Sequence, residues 1–268
     1  MTGISRRRFL AGAGLAAAQL GALAGPAMAR PARPPTPTVP PMAARHALQR
    51  LLVPLPPWIH NGPPDRARVA ITIDDMWGAF GADNANAAMD VAKAKNVKLT
   101  FFPTGAAIED HINLGRQDVW RRAVTEGHDI GNHTYTHSNL TKLTDDQIRN
   151  ELQHTKDLLA QCLGPSYPYT MRLMRPPGGA GGFVAGGDPR VMNVITSFGY
   201  SMTMWTVDAN GVKGNPAFIN KVMAGARNGT IVLVHFTEFT PAGFPTLIDR
   251  LRIERKLEPT SVTGLFNG

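Results

Sequence analysis

From residue 69 to residue 234, short apolar runs alternate with stretches of helical character, and this alternation is the strongest constraint on the fold. Residues 69–73, 97–102, 202–207 and 231–234 read as strands, and Asp129-Ile130-Gly131 begins another. The short apolar run 69–73 marks a buried strand. Helices are expected at 84–95, around 119–125, at 189–198 and at 217–227. One more helix has both ends written in the sequence. Thr144-Asp-Asp-Gln147 is a capping box with two acids in the first turn, and Gly164-Pro165 stops it. Strands and helices in alternation, with no internal repeat, predict a parallel α/β architecture, either a barrel or a doubly wound sheet. In both, chemistry collects at the carboxyl ends of the strands.

The N-terminal residues belong to a different kind of segment. Ser5-Arg6-Arg7-Arg8-Phe9-Leu10 sets paired arginines before an Ala/Gly/Leu-rich run, and Ala27-Met28-Ala29 has the small-x-small pattern of a signal-peptidase site. Residues 1–29 are expected to be a twin-arginine signal peptide, giving a periplasmic or secreted protein with no stable membrane anchor after cleavage. Residues 30–64 are expected to form a Pro-rich tether and a wrapping segment, and residues 65–268 the folded domain. That leaves roughly 240 residues after cleavage, enough for a full core. Removing the three arginines of residues 1–29 lowers the formal net charge from +8 to +5. The remaining basic residues form no compact stripe, so no nucleic-acid partner is expected. The single cysteine, Cys162, rules out an intramolecular disulfide. It continues the stripe Ile148, Leu152, Thr155, Leu159, which points to a buried apolar thiol.

Titratable residues fall where the strands end. The first strand runs into Asp74-Asp75. Adjacent carboxylates repel, and side chains alternate direction along a strand, so the two should do different jobs. His133-Thr-Tyr-Thr-His137 spaces two imidazoles so that one helical turn would aim them at one ion. Two histidines and a carboxylate around a divalent cation make a common hydrolytic arrangement, with Asp75 as the third ligand. His235, Arg175 and Asp208 occupy similar junctions. Each alone has a structural reading, as a helix cap, a chance spacing or a core histidine. Together, at separate strand ends, they indicate a site.

The ordered set Thr72-Ile-Asp-Asp75, Thr100-Phe-Phe102 and Gly127-His-Asp-Ile-Gly-Asn-His-Thr-Tyr-Thr-His137 closely resembles the polysaccharide deacetylases. These are the NodB-homology domains of carbohydrate esterase family 4. Arg175-Pro-Pro-Gly178, Trp205-Thr-Val-Asp208 and Gly229-Thr-Ile-Val-Leu-Val-His235 follow in the family's order. The resemblance implies a distorted (β/α) barrel and metal-assisted attack of water on an acetamide carbonyl. It implies one divalent ion, zinc first with cobalt or nickel as alternatives, held by Asp75, His133 and His137. Asp74 looks like the general base and Arg175 like the arginine that orients it. His235 resembles the general acid with Asp208 in its support, and the Gly178 backbone N–H would face the developing oxyanion. His128 reads as structural. The chain departs from the family at Met76, where Gly is usual, at Gly178, where an aromatic is common, and at Gly211, Val212 and Phe236. The first two alter the rim of the site, and the others alter the acidic support of His235 and one wall of a sugar groove.

The expected function is a periplasmic or secreted deacetylase of N-acetylated amino sugars, with an acetylated glycan and the export machinery as partners. Hydrolysis of a small amide on the same fold, or glycan binding without turnover, are the alternatives. Replacing Arg6 and Arg7 together by Lys is expected to hold the precursor in the cytoplasm, read by fractionation. Export at the normal rate would contradict the twin-arginine assignment.

Overall fold

The computed structural model describes residues 53–183, 187–237 and 239–267, with Met42, Ala44 and Arg45. The chain divides into two units, Met1–Thr36 and Pro37–Gly268, and every described residue belongs to the second. The signal peptide and the Pro-rich tether lie outside the described residues.

Every pairing between named strands is parallel. One sheet follows the order β4 (Asp129–Ile130), β3 (Thr100–Pro103), β2 (Arg68–Asp75), β8 (Thr230–Val234), β7 (Val207–Asp208). In the same sheet β9 (Glu258–Thr260) pairs with the first half of β2. The second sheet is β1 (Trp58–Ile59), β6 (Ser201–Thr203), β5 (Leu173–Met174). A bridge between Asn132 and Met174 joins the sheets past β4, and Met204-Trp205-Thr206 carries β6 into β7 across the other side. The result is a distorted barrel. The expected wrapping segment supplies β1, so it joins a sheet.

Side-chain alternation along β2 divides the core. Val69, Ile71 and Ile73 pack in the larger apolar cluster, which includes the apolar faces of α1 (Gly78–Ala94), α2 (Gly105–Asn113), α3 (Asp118–Thr125) and α4 (Asp145–Leu163). Residues of α5 (Pro189–Ser197), α6 (Asn215–Gly225) and α7 (Phe244–Glu254) complete that cluster. Ala70 joins a smaller cluster with Phe102, Leu173, Ile231 and Leu265, the last from α8 (Val262–Phe266). Thr72 and Asp74, at the same alternate positions as Ala70, are also buried. The buried Asp129 carboxylate accepts from the N–H and hydroxyl of Thr263, both at 2.8 Å, which fixes α8.

The helix expected from Thr144 carries its capping box and ends at Gly164, whose φ of 61° suits glycine. Cys162 is buried on its apolar face, and burial pushes the thiol up to about 11. The strand expected over 202–207 is instead two strands. The carbonyls of Thr203 and Met204 accept from the Arg175 guanidinium, both at 3.1 Å, and the ladder breaks there. α1 begins at Gly78, well before residue 84. β5, β9, α2, α7 and α8 had no signal in the sequence reading.

Strand register puts the functional residues in one layer. Ile73 is level with Val234, so Asp74 stands level with His235. Asn132 is level with Met174, so His133 meets Arg175. Asp208 is level with Leu233, two positions short of His235.

Candidate active site

The Arg175 side chain is fully buried. Its Nη1 donates to Thr72 Oγ1 at 2.6 Å and to Asp74 Oδ1 at 2.7 Å. Its plane lies over the Phe102 ring at 4.3 Å, with Trp205 at 5.5 Å. Thr72 passes the chain of bonds on by donating to the Val232 carbonyl at 2.6 Å. Arg175 thus takes one oxygen of Asp74, and the other, Oδ2, lies 3.7 Å from His133 Nε2.

Asp75 behaves differently from its neighbour. Continued alternation would turn its side chain to the other face of the strand, but φ is 70° at Asp75 and 67° at Met76. Two consecutive left-handed residues other than glycine are costly and persist only where their surroundings over-determine them. The turn ends the strand and holds Asp75 Oδ1 at 3.5 Å from His133 Nε2 and 3.3 Å from His137 Nε2. The ligand atoms of Asp75, His133 and His137 all lie within 4.8 Å of one another.

The two histidines sit on a loop, where a helical turn was expected. The loop's polar groups are claimed from outside it. Thr134 N–H donates to Asn132 Oδ1 at 2.9 Å, and the N–H groups of Tyr135 and Thr136 donate to Glu151 Oε2 at 2.8 and 2.7 Å. The carbonyls of Thr134 and Tyr135 accept from Gly105 and Ala106 at the start of α2. With these groups committed no helical bonds form, and φ of 62° at Thr134 and 63° at His137 brings the rings together, centroids 5.0 Å apart. His133 Nδ1–H donates to the Arg175 carbonyl at 2.7 Å, which fixes the tautomer and leaves Nε2 as the lone-pair donor.

This set fits a divalent cation. Asp75 Oδ1 is buried with no hydrogen-bond partner, and two imidazole nitrogens face it. Burial raises the Asp75 pKa, but the nearness and charge of His133, with the charges of His235 and His137, outweigh it and lower it below the ordinary carboxylate value. Burial opposes charge on His133, yet Asp74 and Asp75 together raise its pKa above the usual value. Burial and the His133 charge lower that of His137. The carboxylates thus favour positive charge among these rings, and a cation bound there would supply it.

His235 Nε2 lies 3.7 Å from Asp75 Oδ2. Its Nδ1–H donates to Asn210 Oδ1 at 2.6 Å, and Asp208 Oδ1 accepts from Asn210 N–H at 2.8 Å. Asp208, expected to support His235 directly, is joined to it through Asn210, as the register requires. Gly178 is exposed, with φ 58° and open space where a side chain would stand. His128 accepts from Leu99 N–H at 3.0 Å, a packing role. Glu151 and Asn210 escaped the sequence reading because their partners are set by tertiary contacts.

Residues 61–203 match the sequence model of the polysaccharide deacetylase family. A peptidoglycan-N-acetylglucosamine deacetylase of Bacillus cereus is 33% identical over 179 residues, 66% of this chain and 58% of that protein. A chitooligosaccharide deacetylase of Rhizobium leguminosarum bv. trifolii is 30% identical over 150 residues, 55% of this chain and 62% of that one. The chain therefore spans less than two thirds of the length of these curated relatives. Among solved structures, a CE4-family pseudoenzyme from Bacillus anthracis is similar with a TM-score of 0.67 at 27% identity, over 79% of this chain and 70% of that one.

Glu151→Ala is expected to weaken zinc binding by about 10–100-fold, the usual cost of losing a group that orients metal ligands. Chelator competition measures this, with circular dichroism to check the fold. An unchanged zinc affinity would contradict the positioning role.

Proposed function

The chain belongs to the polysaccharide deacetylase family, and from that premise we propose that it hydrolyses the acetamide of N-acetylated amino sugars in an oligo- or polysaccharide, of chitooligosaccharide or peptidoglycan type. The observation that carries this reading is the convergence of Asp75, His133 and His137 within 4.8 Å, beside an aspartate paired to a buried arginine. Asp75, His133 and His137 would hold one divalent ion, zinc by preference. When bound, such an ion supplies Lewis acidity toward a carbonyl and acidifies water.

The remaining work falls to the chain's own groups. Asp74 Oδ1 is committed to Arg175, so Oδ2, which faces the ligand cluster, is the oxygen placed to accept a proton from the attacking water. An amine leaves only when protonated, and His235 Nε2, across Asp75 from His133, is placed to supply that proton. Asn210 fixes the ring that does so. Base and acid each contribute on the order of 10²–10⁴ in rate when correctly placed. The Gly178 backbone N–H would face the developing oxyanion. Residues 1–29 would direct twin-arginine export, and residues 65–268 would act in the periplasm or outside the cell on an envelope or soluble glycan.

The likeness to a pseudoenzyme supplies a second reading, glycan binding without turnover. Asp74, Asp75, His133, His137, Arg175 and His235 standing together favour turnover. Acetate release from acetylated chitooligosaccharides and peptidoglycan fragments separates the readings. Release is expected with zinc, lost with a chelator and restored by zinc. Binding of either glycan by the zinc-loaded protein without acetate release would favour the second reading, and release indifferent to chelator would contradict the metal site.

A further inference from the structure

We propose that Trp77 is a specificity-determining residue, a stacking platform for a sugar ring bonded to the one that loses its acetyl group, so that the protein selects oligosaccharide over monosaccharide. The inference rests on the deacetylase reading above and deepens it. Trp77 is 44% exposed, although an indole gains most from burial. Its ring stands edge-on to His137, centroids 6.4 Å apart and planes at 69°, and His137 is the outermost ligand of the cluster, with 39% of its side chain exposed. Phe80, one turn along α1 and so on the same side, is 58% exposed and lengthens the apolar strip. An apolar rim against a polar catalytic cluster matches a pyranose, which offers a C–H face to stacking and hydroxyls at its edge.

The backbone beneath the platform is fixed by its packing. Asp75 and Met76 form the left-handed turn that also presents the metal ligand, and Met76 is buried, 3% exposed. A side chain at Gly81 would stand 2.1 Å from the Met76 carbonyl oxygen, so the turn packs on bare backbone. Gly81 N–H donates to the Trp77 carbonyl at 2.9 Å. The Gly78 carbonyl accepts from Nε2–H of His111 at 3.0 Å, a histidine that is itself fully buried and whose pKa burial lowers. The backbone that carries Trp77 is therefore fixed before any ligand arrives, so less has to be ordered on binding. Gly178 leaves open space where a side chain would stand, and Phe183, 65% exposed, leans edge-on against Trp205 at 5.4 Å. An acetylated monosaccharide would occupy the cluster alone, whereas a bonded neighbour reaches the indole.

The test compares the full chain, Trp77→Ala and Trp77→Phe, zinc-loaded, on N-acetylglucosamine and on its acetylated β-1,4 tetramer, with zinc content measured for each. For Trp77→Ala the ratio of tetramer to monomer kcat/KM is expected to fall about tenfold. The fall should lie in the tetramer KM, with zinc content unchanged, and Trp77→Phe should keep most of the ratio. An unchanged ratio, or a fall in kcat or zinc content with KM constant, overturns the proposal. Calorimetric binding of the tetramer to the metal-free proteins is the second readout, with a similar loss expected for Trp77→Ala. If the wild-type protein releases no acetate, the deacetylase reading fails by itself and this binding comparison decides the role of Trp77. Equal affinity of wild type and Trp77→Ala would then refute it.

Discussion

The buried guanidinium of Arg175 is the interaction on which the site depends. A charge taken out of water is tolerable only when its hydrogen bonds are met, and this one reaches Asp74, Thr72 and the carbonyls of Thr203 and Met204. Those partners lie on β2 and at the end of β6, while Arg175 itself follows β5. One side chain therefore ties the two sheets together at the mouth of the barrel. Breaking a buried pair by removing one partner costs about 3–5 kcal/mol, because the other charge is left uncompensated. Lysine would not substitute, since it lacks the planar fork that serves several acceptors at once and stacks on Phe102.

The same residue divides the labour between adjacent aspartates. Its side chain claims an oxygen of Asp74, and its main-chain carbonyl fixes the tautomer of His133. Asp75, turned by a left-handed backbone, stays out of reach of that guanidinium and keeps an unpartnered oxygen among imidazoles. Two like residues side by side thus acquire different environments, and the difference comes from backbone direction and one buried arginine.

Much of this was legible from local patterns. The central strand 69–73, the capping box at Thr144 and the titratable strand ends are written in contiguous residues. The features that were not legible depend on partners distant in sequence. The segment 133–137 has helical spacing, yet Glu151 and the start of α2 claim its polar groups. The run 202–207, Met-Thr-Met-Trp-Thr-Val, reads as one strand, but Arg175 takes two of its carbonyls. Asp208 is the acid that a motif reading selects, whereas strand register puts Asn210 opposite His235. Strands such as β5, at two residues, are too short to show any period.

We infer that Arg175 and the turn at Asp75 give the base and metal-ligand roles to different aspartates. Zinc content and kcat of Asp74→Asn and Asp75→Asn, purified and loaded identically, test it most directly. The account predicts that Asp74→Asn holds zinc at the wild-type level and loses on the order of 10² or more in kcat, while Asp75→Asn loses zinc. An Asp74→Asn protein empty of zinc beside an Asp75→Asn protein that retains it would contradict the account.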